Sequence, residues 1–275
     1  MREAPLISVI TIALNDLDGL IYTTDSVERQ TYKNYEHIVV DGNSSDGSVD
    51  FCAAAEKRLS KFSYISEPDR GIYDAMNKGA RMAHGDLLVF LNSSDGLTDS
   101  SVLAFVAEKW SESPDWQWGY GAMRHTDSNR LPFGGTVQAP FDRRQFELGR
   151  MYIPHPACYL GRDFFLNHGA FDESFGTAAD QEFYFRVCGT HPPAVWIRFL
   201  ADFMIGGVSS SESTWSRESL WHQMRVKHGV AIANNRHIDR VAALTVTYAQ
   251  RMINGMRKLT KGDTNFAHVR NRTVP

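Results

Sequence analysis

Three apolar, β-branched runs constrain this chain more than any other feature: residues 6–14 (LISVITIAL), 35–40 (YEHIVV) and 87–91 (LLVFL). They lack the polar alternation of half-exposed strands, so each predicts a strand buried on both faces. Helical patterns lie between them. Residues 17–30 place Leu20, Ile21, Thr24 and Val27 at helical spacing, and residues 48–59 and 72–83 read as two more helices. Residues 62–66 form a further short strand pattern. Strands and helices alternating at these intervals predict an α/β fold: a mostly parallel, Rossmann-like central sheet flanked by helices.

With 275 residues, 43% of them hydrophobic, the chain can bury a full core without staples. Cys52, Cys158 and Cys188 are odd in number and widely spaced, so they read as reduced core residues, not a disulfide framework or zinc site. A net charge of −3 excludes the basic excess of a nucleic-acid protein. The first residues carry no signal-peptide pattern and no apolar run is long enough to cross a bilayer. A cytoplasmic protein is expected, whose sequons at Asn43 and Asn92 meet no glycosylation machinery.

In parallel sheets ligands bind beyond the carboxyl ends of the strands. Polar residues cluster at those ends: Asn15 and Asp16, then Asp41, then Glu67, Asp69 and Arg70, then Asn92 to Asp95. Asp41 opens the Gly-rich turn DGNSSDGS. It can accept a hydrogen bond from a nucleobase imide, or the turn simply caps the next helix through Asp46 and Ser48. In EPDRGIYDAMNKG, Arg70 offers a planar fork for a base carbonyl or phosphate. Asp69 can serve the donor or cap the following helix; Asn77 can serve the donor or, with Gly79, close that helix on the sheet. Asp95 ends FLNSSD, where a carboxylate at a polar strand exit suits Mg²⁺ or Mn²⁺. Asp180, in AADQEF, reads either as a helix cap or as a general base for an acceptor hydroxyl.

These segments stand in order as VDGNSSDGS, SEPDRGIYDAMNKG, GDLLVFLNSSD, IPHPACYLGRDFF, GAFDESF, AADQEF and GGVSSS. Together, over about residues 5–207, the chain resembles the family 2 glycosyltransferases of the GT-A fold, and most closely the branch that builds colanic-acid-type bacterial polysaccharides. The resemblance implies a catalytic domain over residues 1–207, with a nucleotide-sugar-binding half (1–110) and an acceptor and catalytic-base half (111–207). A helical C-terminal extension (208–275) follows. It further implies that Thr11, Ala13, Asn15, Asp41 and Arg70 hold the nucleotide of a sugar donor, with Asp69, Asn77 and Ser94 also on the donor side. Asp95 takes the place of the metal-binding Asp, for Mn²⁺ or Mg²⁺, and Asp180 that of the base in an inverting transfer to a saccharide or lipid-linked acceptor. His155 lines the acceptor side or is structural; Pro156 replaces the Gln that often follows it in the family.

One departure stands out. The family usually carries two adjacent carboxylates after Asn-Ser, and here the first is Ser94. Its hydroxyl can still meet a ribose but brings no negative charge to a metal.

Residues 110–149 are read as loop-rich, with aromatic residues shaping the acceptor side. In the tail, Ser209 to Glu212 resembles a capping box ahead of a helix to His228. A second helix, about residues 236–259, aligns Ile238, Val241, Tyr248, Met252, Met256 and Leu259 on one face with basic residues at its flanks. That face packs on the protein or a dimer partner, the favoured reading, or lies on an anionic membrane. Two rival functions remain: a non-catalytic sugar-nucleotide-binding scaffold, motivated by Ser94, and a sugar nucleotidyltransferase. The latter would carry a Gly-rich basic loop after its first strand, which Ala13-Leu14-Asn15-Asp16 lacks.

Overall fold

The computed structural model describes residues 3–113, 115–206 and 214–260. The first half alternates as expected: β1 (Ile7–Ala13), α1 (Leu17–Glu28), β2 (Tyr35–Asp41), α2 (Ser48–Arg58), β3 (Phe62–Ser66), α3 (Ile72–Met82) and β4 (Leu87–Phe90). β1 pairs in parallel with both β2 and β4, and β2 with β3. Every residue of β1 and β4 is buried, which is why their sequences are continuous apolar runs.

Helices cover both faces. α3 approaches so closely that a Cβ on Gly79 would lie 2.4 Å from Ile10 Cγ2, so only glycine fits there without displacing the sheet. On the other face Leu20 of α1 and Cys52 and Ala55 of α2 pack with Ala13, Val39 and Phe62.

The second half departs from the expected loop. It comprises β5 (Gly96–Leu97), α4 (Val102–Glu112), β6 (Trp118–Thr126), β7 (Pro132–Thr136), α5 (Arg143–Glu147), β8 (Cys158–Gly161), α6 (Arg162–Asn167), α7 (Ala179–Val187) and β9 (Ala194–Met204). The described strands form one sheet in the order β3-β2-β1-β4-β8-β6-β9-β5, with β7 added on β6. β8 is antiparallel to β4 and β6, whereas β6 and β9 run parallel. Residues 118–126 escape a sequence reading because two glycines interrupt the strand pattern. A Cβ on Gly119 would lie 2.7 Å from the Trp196 ring, and one on Gly121 2.5 Å from Leu200, so β9 presses against a strand that has to be bare there.

The chain forms two compact units. One runs to Phe141 and resumes over Ile153–Ile205. The other joins Asp142–Tyr152 to the described residues from Gly206 onward, chiefly α8 (Thr214–Lys227) and α9 (Arg236–Thr260). In this second unit Asp239 is fully buried and binds Arg225 through Nε at 2.7 Å and Nη2 at 3.1 Å, and His222 Nδ1 at 2.5 Å. Within the single chain the apolar face of α9 is uncovered: Ile238, Val241, Tyr248 and Met252 are all exposed, whereas Asp239 and Ala243 are buried. The Met256 and Leu259 side chains, the capping box at 209–212 and most of GGVSSS lie outside the described residues.

Candidate active site

Asp41 closes β2 opposite Ala13 and is completely buried. Its Oδ2 accepts from Ser44 N at 2.9 Å and Ser66 Oγ at 2.6 Å, while its Oδ1 is buried with no hydrogen-bond partner in the structure. A buried acceptor left without a partner costs about 1–3 kcal/mol. Asn15, at φ 50°, zips the β1 exit to the same turn: its N–H donates to Ser44 Oγ at 2.8 Å and its Oδ1 accepts from Ser45 N at 2.9 Å. Asp46 ties the starts of both flanking helices, accepting from Leu17 N and from Ser48 N and Oγ. Thr11 and Asn77 are buried and bonded within the fold. Thr11 Oγ1 meets buried His37 Nε2 at 3.0 Å, and burial depresses that imidazole to about 3. The Asn77 amide exchanges two hydrogen bonds, of 2.9 and 3.0 Å, with the main chain of Phe171.

Asp69 does not cap α3. It pairs with Lys78 Nζ at 2.6 Å; the cap position of α3 is Gly71, with no side-chain bond, and Asp74 in the first turn accepts from Arg70 N just ahead of it at 3.0 Å. The Arg70 side chain is largely exposed and bonds Asp74 and Glu173, at the rim of a cleft of about 210 Å³ that Tyr73, Gly176 and Thr177 also line.

Beyond β4, Ser94 adopts φ 74° and donates from Oγ to Asp16 Oδ2 at 2.8 Å; Asp16 also caps α1 through Gly19 N. The exits of β1 and β4 are thereby joined. Arg130 donates to the Ser94 carbonyl at 2.5 Å and lies 4.3 Å over the Tyr22 ring. Burial pushes the neighbouring Asp95 carboxyl up to about 8, against the Met204 N–H and Arg130, which favour its charged form. Among the described residues no cationic side chain pairs with Asp95, and no group of three or more His, Cys, Asp or Glu could hold a metal by itself. Magnesium-type ions are commonly held by one or two carboxylates plus substrate phosphates. A buried carboxyl at a strand exit, with no cationic side chain paired to it among the described residues, fits that arrangement.

Asp180 lies in the first turn of α7 and caps nothing; the residue at the cap position is Ala178, with no side-chain bond. Both carboxylate oxygens are held instead: Oδ1 accepts from Tyr73 Oη and Oδ2 from Gln181 Nε2, each at 2.8 Å. Gln181 is itself fixed by two bonds to the main chain of Ile153. His155 Nδ1 lies 3.8 Å from Asp180 Oδ2 and 3.1 Å from Tyr184 Oη, and its ring stacks on Phe90. Burial lowers the pKa of His155, whose Nε2 has no partner in the structure.

The structure thus gathers Ala13, Asn15 and Asp41 in one cluster, Asp16, Ser94 and Asp95 in a second, and Tyr73, His155 and Asp180 in a third. Tyr73, Gln181 and Arg130 are absent from the sequence reading. Their contacts to Asp180 and Ser94 span long sequence separations or depend on a side-chain rotamer, and no local pattern encodes them.

This geometry agrees with the comparisons. Residues 8–167 match the family model described as Glycosyl transferase family 2. An uncharacterized glycosyltransferase of Mycobacterium tuberculosis is 40% identical over 213 residues, covering 76% of this chain and 79% of that protein. A PGL/p-HBAD biosynthesis glycosyltransferase of Mycobacterium bovis is 32% identical, covering 70% and 73%. Among solved structures, the mannosyltransferase PcManGT of Pyrobaculum calidifontis, in complex with GDP-Man and Mn²⁺, superposes with TM-score 0.62 at 16% identity, over 94% of this chain and 81% of that one. S. aureus TarS 1–349, in complex with UDP-GlcNAc, gives TM-score 0.63 at 18% identity, over 81% and 66%. The chain belongs to glycosyltransferase family 2, and its sheet is that of the GT-A fold.

Proposed function

We propose that the protein transfers a sugar from a nucleotide-diphosphate donor, a UDP-sugar by preference, to a hydroxyl of a saccharide or lipid-linked saccharide. The transfer inverts the anomeric carbon and serves bacterial surface polysaccharide assembly. The observation that carries this reading is the unpartnered, fully buried Oδ1 of Asp41. It stands at a strand exit beside a turn of backbone N–H groups, where a uracil imide N–H can supply the missing donor. The complexes of TarS with UDP-GlcNAc and PcManGT with GDP-Man support a nucleotide-sugar donor.

In this reading Asn15 and Ala13 shape the nucleoside pocket, and Asp69 and Arg70 border it. Ser94 offers its hydroxyl to the ribose, and Asp95 holds a divalent cation. A cation held there by Asp95 would supply charge neutralisation for the diphosphate leaving group. Asp180 accepts the proton of the acceptor hydroxyl as its oxygen bonds to the anomeric carbon. The bond from that carbon to the phosphate oxygen breaks, and the nucleoside diphosphate departs with the electron pair. His155, neutral beside Asp180, faces the acceptor side. The protein works on the cytoplasmic face of a membrane as a peripheral enzyme; no helix among the described residues is long and apolar enough to cross one.

Incubation with UDP-, GDP- and dTDP-sugars and Mn²⁺ or Mg²⁺ tests the reading. Cation-dependent turnover of a UDP-sugar supports it, whereas tight nucleotide binding without turnover over a broad acceptor set favours a binding protein.

A further inference from the structure

Asp239 and Ala243 of α9 are buried in the packing with α8, while Ile238, Val241, Leu244, Tyr248 and Met252 follow one another along one side and are 46–67% exposed; Val246, off that line, is 45% exposed. Their spacing of three and four residues keeps them within about a third of the helix circumference. A stripe of this kind has no role in holding the second unit together.

Charge decides what covers it. After Asp239, which is consumed by Arg225 and His222, residues 240–261 contain Arg240, Arg251, Arg257, Lys258 and Lys261 and no Asp or Glu. A second copy brings another stretch of the same positive net charge, whereas an anionic surface complements it. Between α8 and α9, alongside the stripe, Ser219, His222, Gln223, Arg240 and Ala243 line a cleft of about 250 Å³. Its polar lining offers hydroxyl, amide and guanidinium donors and contains no acid. The imidazole of His222 is locked in place by Asp239. Exposed Val226 of α8 extends the apolar border on this side.

We propose that the outward face of α9 docks on an anionic phospholipid bilayer, with the stripe entering the interface and a headgroup phosphate seated in the cleft at Arg240. This deepens the peripheral-membrane part of the proposed function by naming the surface and the lipid chemistry. It does not depend on the catalytic reading, because binding can be measured without turnover.

The full chain is sedimented with vesicles of phosphatidylcholine alone and of phosphatidylcholine mixed with phosphatidylglycerol, while sugar transfer is followed separately. Binding is expected only to the mixed vesicles. The double variant Val241→Ser/Tyr248→Ser, altered at exposed positions only, is expected to bind at least about tenfold more weakly. Arg240→Gln should lose about fivefold. Thermal unfolding midpoints within error of wild type confirm that the variants are folded. The proposal is overturned by absence of binding to the mixed vesicles, by equal binding of the double variant, or by equal binding of Arg240→Gln. It is also overturned if the wild type sediments as a dimer that the double variant converts to monomer, which would assign the stripe to a second copy. Loss of sugar transfer with lipid binding intact would instead count against the catalytic reading alone.

Discussion

The hydroxyl of Tyr73 donates a 2.8 Å hydrogen bond to Asp180 Oδ1, joining the first turn of α3 to the first turn of α7 across 107 residues of sequence. With Gln181 holding the other oxygen, the carboxylate has one orientation, and the start of α3 is tied to Asp180. Removing the hydroxyl with Tyr73→Phe is expected to lower kcat by about 10–100-fold, the worth of a hydrogen bond to a charged group, with nucleotide affinity unchanged. Steady-state kinetics, beside calorimetric UDP binding, checks this.

Asp41→Asn puts an amide where the fold keeps an empty acceptor. The variant should bind UDP at least about tenfold more weakly, corresponding to about 1.5–3 kcal/mol for a hydrogen bond to a charged group. Isothermal titration with UDP reads this directly, and an unchanged affinity would remove Asp41 from the nucleotide pocket.

Asp95 makes a prediction about pH. Its carboxyl is raised to about 8 from an ordinary 3.8, so between these values the folded protein keeps a proton that the unfolded chain has released. Stability of the metal-free protein therefore falls as pH rises through this window, by up to about 1.4 kcal/mol per pH unit from this group. Asp95→Asn should abolish that contribution. In the presence of UDP, Mn²⁺ should raise the unfolding midpoint of the wild type at pH 7.5 but not that of the variant. Thermal melts of both proteins over pH, with and without the cation, measure it.

Asn77 separates frame from site. Asn77→Ala strands the buried N–H and carbonyl of Phe171 and should cost about 2–4 kcal/mol of stability. Chemical denaturation reads the loss. Nucleotide affinity at a temperature where the variant is folded should match wild type.

The legibility of this protein in its sequence follows its physics. Residues 7–13, 35–41 and 87–90 are buried on both faces and announce themselves as apolar runs. The carboxylates Asp41, Asp95 and Asp180 stand out because they sit where such order breaks into polar turns or at a helix start. β6 is hidden because Gly119 and Gly121 answer to side chains of β9, more than 70 residues away. Asp69 looked like a cap because of its place before α3, but Lys78, one turn and a half into the helix, claims it. Tyr73 and Asn77 read as parts of one helix, and only the folded chain shows that one reaches Asp180 and the other Phe171. The face of α9 was visible as a stripe, but its exposure was not, since periodicity gives a face without saying what covers it.

The central claim is that this chain transfers sugar by using Asp180 as base, and one measurement meets it most directly. Transfer from the UDP-sugar that the wild type turns over is compared with that of Asp180→Asn, with UDP affinity measured on both proteins. A loss of at least about a thousandfold in kcat is expected, with UDP bound equally well. Turnover within about tenfold of wild type in the variant would contradict it and move the search for the base elsewhere in the site.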